Sequence, residues 1–142
     1  ETAAYLEGLG VPREKLGRCL TSNPQLLGLS IERNLHPTVE FLVQEAGVPS
    51  SKIGALILAF PNVLSYSVDL NLRPTLLFLV DELGVDRARL GALLGKFPQI
   101  LGLSIARNLR PTAQFLAEEA GLGIKGVAKL VARHPQLLGL SV

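Results

Sequence analysis

Apolar residues in this chain recur at two spacings, one nested in the other. The shorter spacing is helical. Leu90, Leu93, Leu94 and Phe97 fall at i, i+3, i+4 and i+7, the stripe of an amphipathic helix. That pattern predicts a first helix over residues 86–96, with Asp86 as N-cap. Pro12 and Pro49 stand at the matching place in two other segments, where proline suits a helix start. Pro98 ends the first helix, because the residue before a proline is pushed out of the helical region. The short piece Pro98, Gln99, Ile100, Leu101, Gly102 predicts a 3₁₀ turn with Leu101 and Leu103 inward. Ser104 then caps a second, longer helix running from about Ile105 to Ala120 and stopping at Gly121, a C-terminal glycine. Its inward stripe is Ile105, Leu109, Thr112, Leu116 and Ala120. Pro111 lies in this helix and either kinks it or marks its true start. No segment alternates with period two, and no hairpin turn pairs occur.

The longer spacing is 37 residues. Pro24, Pro61, Pro98 and Pro135 mark it, as do Pro37, Pro74 and Pro111, and Gly10, Gly47, Gly84 and Gly121. Residues 11–47, 48–84 and 85–121 align without gaps. Residues 1–10 end a preceding unit and residues 122–142 begin a fourth. The chain thus starts and stops in mid-repeat and reads as a fragment of a longer protein. Such periodicity belongs to helical solenoids, in which each unit buries its apolar face against the next. The expected fold is all-α: a right- or left-handed superhelical solenoid with two helices and a short 3₁₀ helix per unit. Gly17, Gly54 and Gly91 recur inside the first helix, with Ala128 in the fourth unit. Glycine there costs about 1 kcal/mol against alanine, so close helix–helix approach is its expected reason.

Composition narrows the function. Of 142 residues, 48% are apolar and 18% charged, enough to build a core rather than a disordered segment. The single Cys19 excludes a disulfide framework and a Cys-cluster zinc site. It stands on the apolar stripe where Leu56 and Leu93 recur, and is expected in the core. His36 and His134 have no recurrent metal-binding partner, so no metal site is expected. No phosphate-cradling glycine loop or nucleophile motif is present. Glu45, Asp81, Glu82, Glu118 and Glu119 recur late in the second helix and read as a solvated face. Phe41, Phe78, Phe115 and Tyr66 read as core, and Gln25, Gln99 and Gln136 as turn caps. No apolar run is long enough to span a membrane. A net charge of +2 permits a polyanionic partner without requiring one.

The repeated wording is specific. A Gly-Val opening, a Phe/Asn/His-Pro-x-x-Leu step and an Asn-Leu-x-Pro-Thr helix segment recur at fixed offsets. This unit resembles that of the mTERF family, the mitochondrial transcription termination factor proteins and their plant and algal relatives. The Leu-Gly-Leu-Ser wording is most like plant-type members. The resemblance implies superhelical arrays, import into mitochondria or chloroplasts, and binding of double-stranded DNA or RNA. It implies roles in organellar transcription, termination, splicing or ribosome assembly, alongside other organellar gene-expression proteins. It implies no catalytic centre, cofactor or small-molecule substrate. The alternative is a protein-interaction scaffold without nucleic-acid contact. The 37-residue period disfavours pentatricopeptide and Pumilio repeats.

A repeated surface position forms a ladder, and a ladder of cations suits a phosphate backbone. The variable position of Asn-Leu-x-Pro-Thr carries His36, Arg73 and Arg110. Three residues earlier stand Arg33 and Arg107, with Leu70 breaking the middle rung. A second ladder in the first helix is Lys15, Lys52 and Arg89, and late in that helix come Lys96 and Arg133. These ten residues are the candidate nucleic-acid contacts. The competing reading makes them the solvated faces that any exposed helix needs.

Overall fold

The computed structural model describes residues 2–139. All of its regular structure is helical, and among the described residues there is no strand. The α-helical segments are α1 (Thr2–Gly8), α2 (Arg13–Ser22), α3 (His36–Glu40), α4 (Ile53–Ala59), α5 (Arg73–Leu77), α6 (Arg87–Lys96), α7 (Arg110–Glu118) and α8 (Gly123–Arg133). The first helices of successive units are α2, α4, α6 and α8. A 3₁₀ turn follows each, at Pro24–Gly28, Pro61–Ser65, Pro98–Gly102 and Pro135–Gly139. The residues before these prolines, Asn23, Phe60, Phe97 and His134, are all forced out of the helical region (φ −133 to −146), as proline requires. In the 3₁₀ turns Ile100 and Leu101 are the buried pair, whereas Leu103 is only half-buried.

The course of the second helix is set by how it accommodates its proline. Its first turn is π-helical, at Ile31–Leu35, Val68–Leu72 and Ile105–Leu109, and runs straight on into α3, α5 and α7. Pro111 has no N–H to donate, and its ring would press on the carbonyl four residues back. The widened turn removes the conflict. Leu109 N donates to Ser104 O at 3.0 Å and Arg110 N to Ile105 O, each five residues back. The proline is therefore neither the start of the helix nor a mid-helix break. It sits just after one loosened turn.

The same turn explains the asparagine of Asn-Leu-x-Pro. Ser30, Ser67 and Ser104 accept from the N–H of Arg33, Leu70 and Arg107 at 3.2, 3.1 and 3.1 Å, which makes them the N-caps expected. Asn34, Asn71 and Asn108 reach back and accept from the serine N–H at 2.9, 3.1 and 3.2 Å. This is a reciprocal capping box. Its second member lies four residues on rather than three, because the π turn holds an extra residue. The other end closes on Gly47 and Gly84 at φ +77 and +78. Val48 N donates to Leu42 O and Val85 N to Leu79 O, both at 2.9 Å; these bonds reach one residue further back than in a Schellman end, because the closing turns Phe41–Glu45 and Phe78–Glu82 are also π-helical.

Units stack backbone on backbone. A Cβ added to Gly54 would lie 2.6 Å from the carbonyl carbon of Gly10, and one added to Gly91 would lie 2.1 Å from the oxygen of Gly47. Close approach is the reason for the recurrent glycine. What approaches is the glycine turn that leads into the preceding unit's first helix, Gly10-Val11 or Gly47-Val48, rather than another helix axis. Gly17 has nothing within 4 Å of its added Cβ.

Two positions expected in the core depart from it at the ends of the stack. Phe41 and Phe78 are 3% and 4% exposed, but Phe115 is 46% exposed. Leu27 is 59% exposed, although Leu64, Leu101 and Leu138 at the same position are buried. Each depends on a neighbouring unit on one side, the following unit for the phenylalanine and the preceding one for the leucine. For the same reason Leu116 is half-buried and Ala120 exposed, although Leu42 and Leu79 at the position of Leu116 are fully buried. Cys19 is buried among the core side chains.

Glycine at the stacking position makes opposite predictions at two sites. Gly91→Ala should destabilise the chain by about 1–3 kcal/mol, the usual cost of overpacking. Gly17→Ala, with open space around it, should stabilise by up to about 1 kcal/mol through helix propensity. Urea unfolding of both variants measures this, and equal signs would contradict the stacking account.

Candidate nucleic-acid interface

The stacking builds two layers. First helices lie beside first helices, as where α8 packs on α6. Second helices lie beside second helices, as where Arg73 meets the preceding unit's Glu45. The second-helix layer does not present the cation ladder as free charge. Arg73 Nε donates to Glu45 Oε1 at 3.0 Å and Nη2 to Oε2 at 2.6 Å, a side-on bidentate pair across the unit boundary. Its remaining nitrogen donates to Asp69 one turn earlier. Arg110 repeats the arrangement with Glu82, Nε donating at 3.1 Å and Nη2 donating to the other oxygen.

Each guanidinium also lies over a ring of the preceding unit. Arg73 stands 5.7 Å from the centre of Phe41, and Arg110 5.7 Å from that of Phe78. This combines a cation–π contact with a geometry that only a planar guanidinium provides. It also explains the exposure of Phe115, which has no following arginine above it within the chain.

The carboxyl of Glu45 is held below its ordinary value of 4.5, chiefly by the Arg73 hydrogen bonds; partial burial opposes this, and the charges of Arg73 and Arg87 add to it. Glu82 is lowered in the same way by Arg110. These acidic residues, read from sequence as a solvated face, are ion-pair partners between units.

His36 forms a weaker first rung. Ala4 and Gly8 stand where later units carry phenylalanine and glutamate. His36 Nδ1 lies 3.4 Å from the Tyr5 hydroxyl, and Nε2 lies 3.6 Å from Glu40. Arg33 and Arg107 are exposed, and among the described residues neither forms an ion pair. Leu70 between them is 80% exposed. Gln25, expected as a turn cap, instead donates to Asn62 Oδ1 of the next unit at 2.9 Å.

The first-helix layer is different. Residues 11–30, 48–67, 85–104 and 122–139 hold ten of the fourteen Lys and Arg and only two of the twelve Asp and Glu. The rest of the chain holds four basic and ten acidic residues. A near-neutral total thus conceals one strongly basic layer and one acidic layer. Lys15, Lys52, Arg89, Lys96 and Arg133 all belong to the basic layer and are exposed. So are Arg18, Lys125 and Lys129, which an unbroken ladder omits: Arg18 and Lys129 share one repeat position with Ala55 and Ala92 between them, and Lys125 has no cationic counterpart. Summing charge by layer instead of by position finds them. Among the described residues none of these eight forms an ion pair, whereas Arg13 pairs with Glu7 at 3.2 Å and Arg87 donates to Glu45 O at 3.2 Å. No three His, Cys, Asp or Glu side chains among the described residues converge as a metal site, and no described helix is long and apolar enough to cross a membrane.

The mTERF family profile matches residues 1–142, the whole chain. The chain belongs to the mTERF family. No curated protein matches it. The mTERF repeat here is therefore a helical-repeat unit whose Asn-Leu-x-Pro-Thr segment builds a capped π turn and places an arginine across the unit boundary.

The arginine clamp predicts a pH dependence. The folded-state value of Glu45 lies below its unfolded value, so its contribution to stability is fully present above about 4.5 and is lost as pH falls through the lower folded value. The melting temperature of the native chain should fall more steeply below pH 4.5 than that of Glu45→Gln. Arg73→Ala should lower the melting temperature at neutral pH, and combining it with Glu45→Gln should cost less than the sum of the two separate effects.

Proposed function

We propose that this mTERF chain binds the phosphate backbone of nucleic acid, double-stranded DNA or RNA, along its layer of first helices, and serves organellar gene expression in that way. The observation that carries the reading is the division of charge between the layers. Ion pairing and solubility do not call for eight unpaired cations on one layer when nine of the described carboxylates occupy the other. A polyanion does, because each phosphate neutralised releases condensed counterions. Arg73 and Arg110, at the position that looks most like a binding ladder, hold the units in register. Lys15, Lys52, Arg89, Lys96 and Arg133 supply the contacts, together with Arg18, Lys125 and Lys129. Backbone contacts of this kind position a ligand without reading its sequence.

A fluorescent 20-base-pair duplex tests the reading by anisotropy across a salt series. The native chain should bind with an affinity that falls steeply with salt. Replacing Lys15, Lys52 and Lys96 together by Gln should reduce the slope by about one for each phosphate no longer neutralised. Arg73→Ala should leave the slope intact while lowering the melting temperature. If the chain binds no duplex or single strand at low salt, the protein-interaction scaffold takes the place of this reading.

A further inference from the structure

The fourth unit breaks the stacking rule. Ala128 occupies the position of Gly17, Gly54 and Gly91, so backbone contact of the kind seen at Gly54 and Gly91 would meet a methyl group. The approach to α8 also differs. Gly121 and Gly123 both adopt positive φ, +70 and +71. Leu122 is 40% exposed, although Val11, Val48 and Val85 at the same position are buried. The result is a cleft of about 590 Å³ between the Gly84 turn, which leads into the third unit, and Ala128 of the fourth.

Three cations line this cleft: Arg89 from α6, and Lys129 and Arg133 from α8. Lys129 and Arg133 are four residues apart and share a face of α8, where like charges repel. The cleft's one carboxylate, Asp86, is engaged as N-cap of α6, accepting from Ala88 N at 3.0 Å. Among the described residues none of the three cations has an ion-pair partner. Leu122, Leu130 and Ala132 complete the wall, an apolar surface beside a concentrated positive charge. That combination suits a phosphodiester, with its anionic oxygens on the cations and its sugar on the leucines.

We infer that this cleft is a dedicated phosphodiester subsite at the boundary of the third and fourth units, a fixed point on the otherwise open basic layer. The inference rests on the nucleic-acid reading above. Ala128 creates the subsite by holding α8 off the Gly84 turn, while the glycines of the second and third units close the equivalent space.

The test separates filling the cleft from removing its charge. Ala128→Leu fills it and leaves every cation in place. Replacing Lys129 and Arg133 together by Gln discharges it and leaves the space. With the fluorescent duplex at 0.1 M salt, Ala128→Leu should weaken binding by about eightfold and lower the salt slope by about 0.9, the effect of neutralising one phosphate fewer. The discharged variant should be weakened at least as much. If Ala128→Leu binds like the native chain with the same slope, no phosphate enters the cleft and the inference falls, even if the discharged variant is weakened through the general field. Should Ala128→Leu fail to fold, as judged by circular dichroism, the discharged variant decides: an unchanged affinity and slope overturn the subsite. In either case the native chain and the variant lacking Lys15, Lys52 and Lys96 report separately on the nucleic-acid reading. Absence of binding by the native chain removes both.

Discussion

The architecture rests on a backbone-to-backbone contact. A helix of one unit must settle on the glycine turn that leads into the first helix of the unit before it, close enough that a single methyl group would collide with a carbonyl. Two glycines meet there for different reasons. Gly47 has positive φ because it closes a helix; Gly91 lacks a Cβ because the turn leaves no room for one. This contact sets the spacing between units, and the spacing decides which side chains reach across. A unit of this size cannot cover its own apolar face, so the stack is the folding unit.

That spacing gives one chemical type two roles. Arginine in the Asn-Leu-x-Pro-Thr segment falls over the phenylalanine and glutamate of the preceding unit, where its charge is neutralised and its plane covers a ring. Apart from Arg13, paired with Glu7, and Arg87, bonded to the Glu45 carbonyl, the described arginines and lysines on the first helices have no such partners and remain as net positive charge. An acidic layer beside a basic one gives the two sides of the stack opposite net charge, the asymmetry on which the nucleic-acid proposal rests. The total charge of +2 conceals this, because the two layers nearly cancel.

The fourth unit shows how much depends on the stacking glycine. With Ala128 in its place and a second positive-φ glycine entering α8, the junction opens while the α-helix and the 3₁₀ turn of that unit still form. Local structure and inter-unit spacing are separable properties of this repeat. One can vary while the other persists, and that separation leaves room for a distinctive site within a periodic scaffold.

The sequence alone determined what depends on neighbours within about one helical turn or on strict periodicity. The helices, the proline-terminated first helix, the serine caps, the closing glycines and the 37-residue unit were all legible, because capping, proline geometry and the 3.6-residue stripe act over a few residues. The charge division was legible too, although only when summed by layer. The tertiary structure alone decided the partners of Arg73 and Arg110, since Glu45 and Glu82 lie 28 residues back in sequence. It also decided that a π turn absorbs Pro111, that Phe115 and Leu27 stay exposed, and that a cleft opens beside Ala128. Each of these depends on the distance between stacked units. That distance comes from packing volumes across the interface, which no spacing along a single helix encodes.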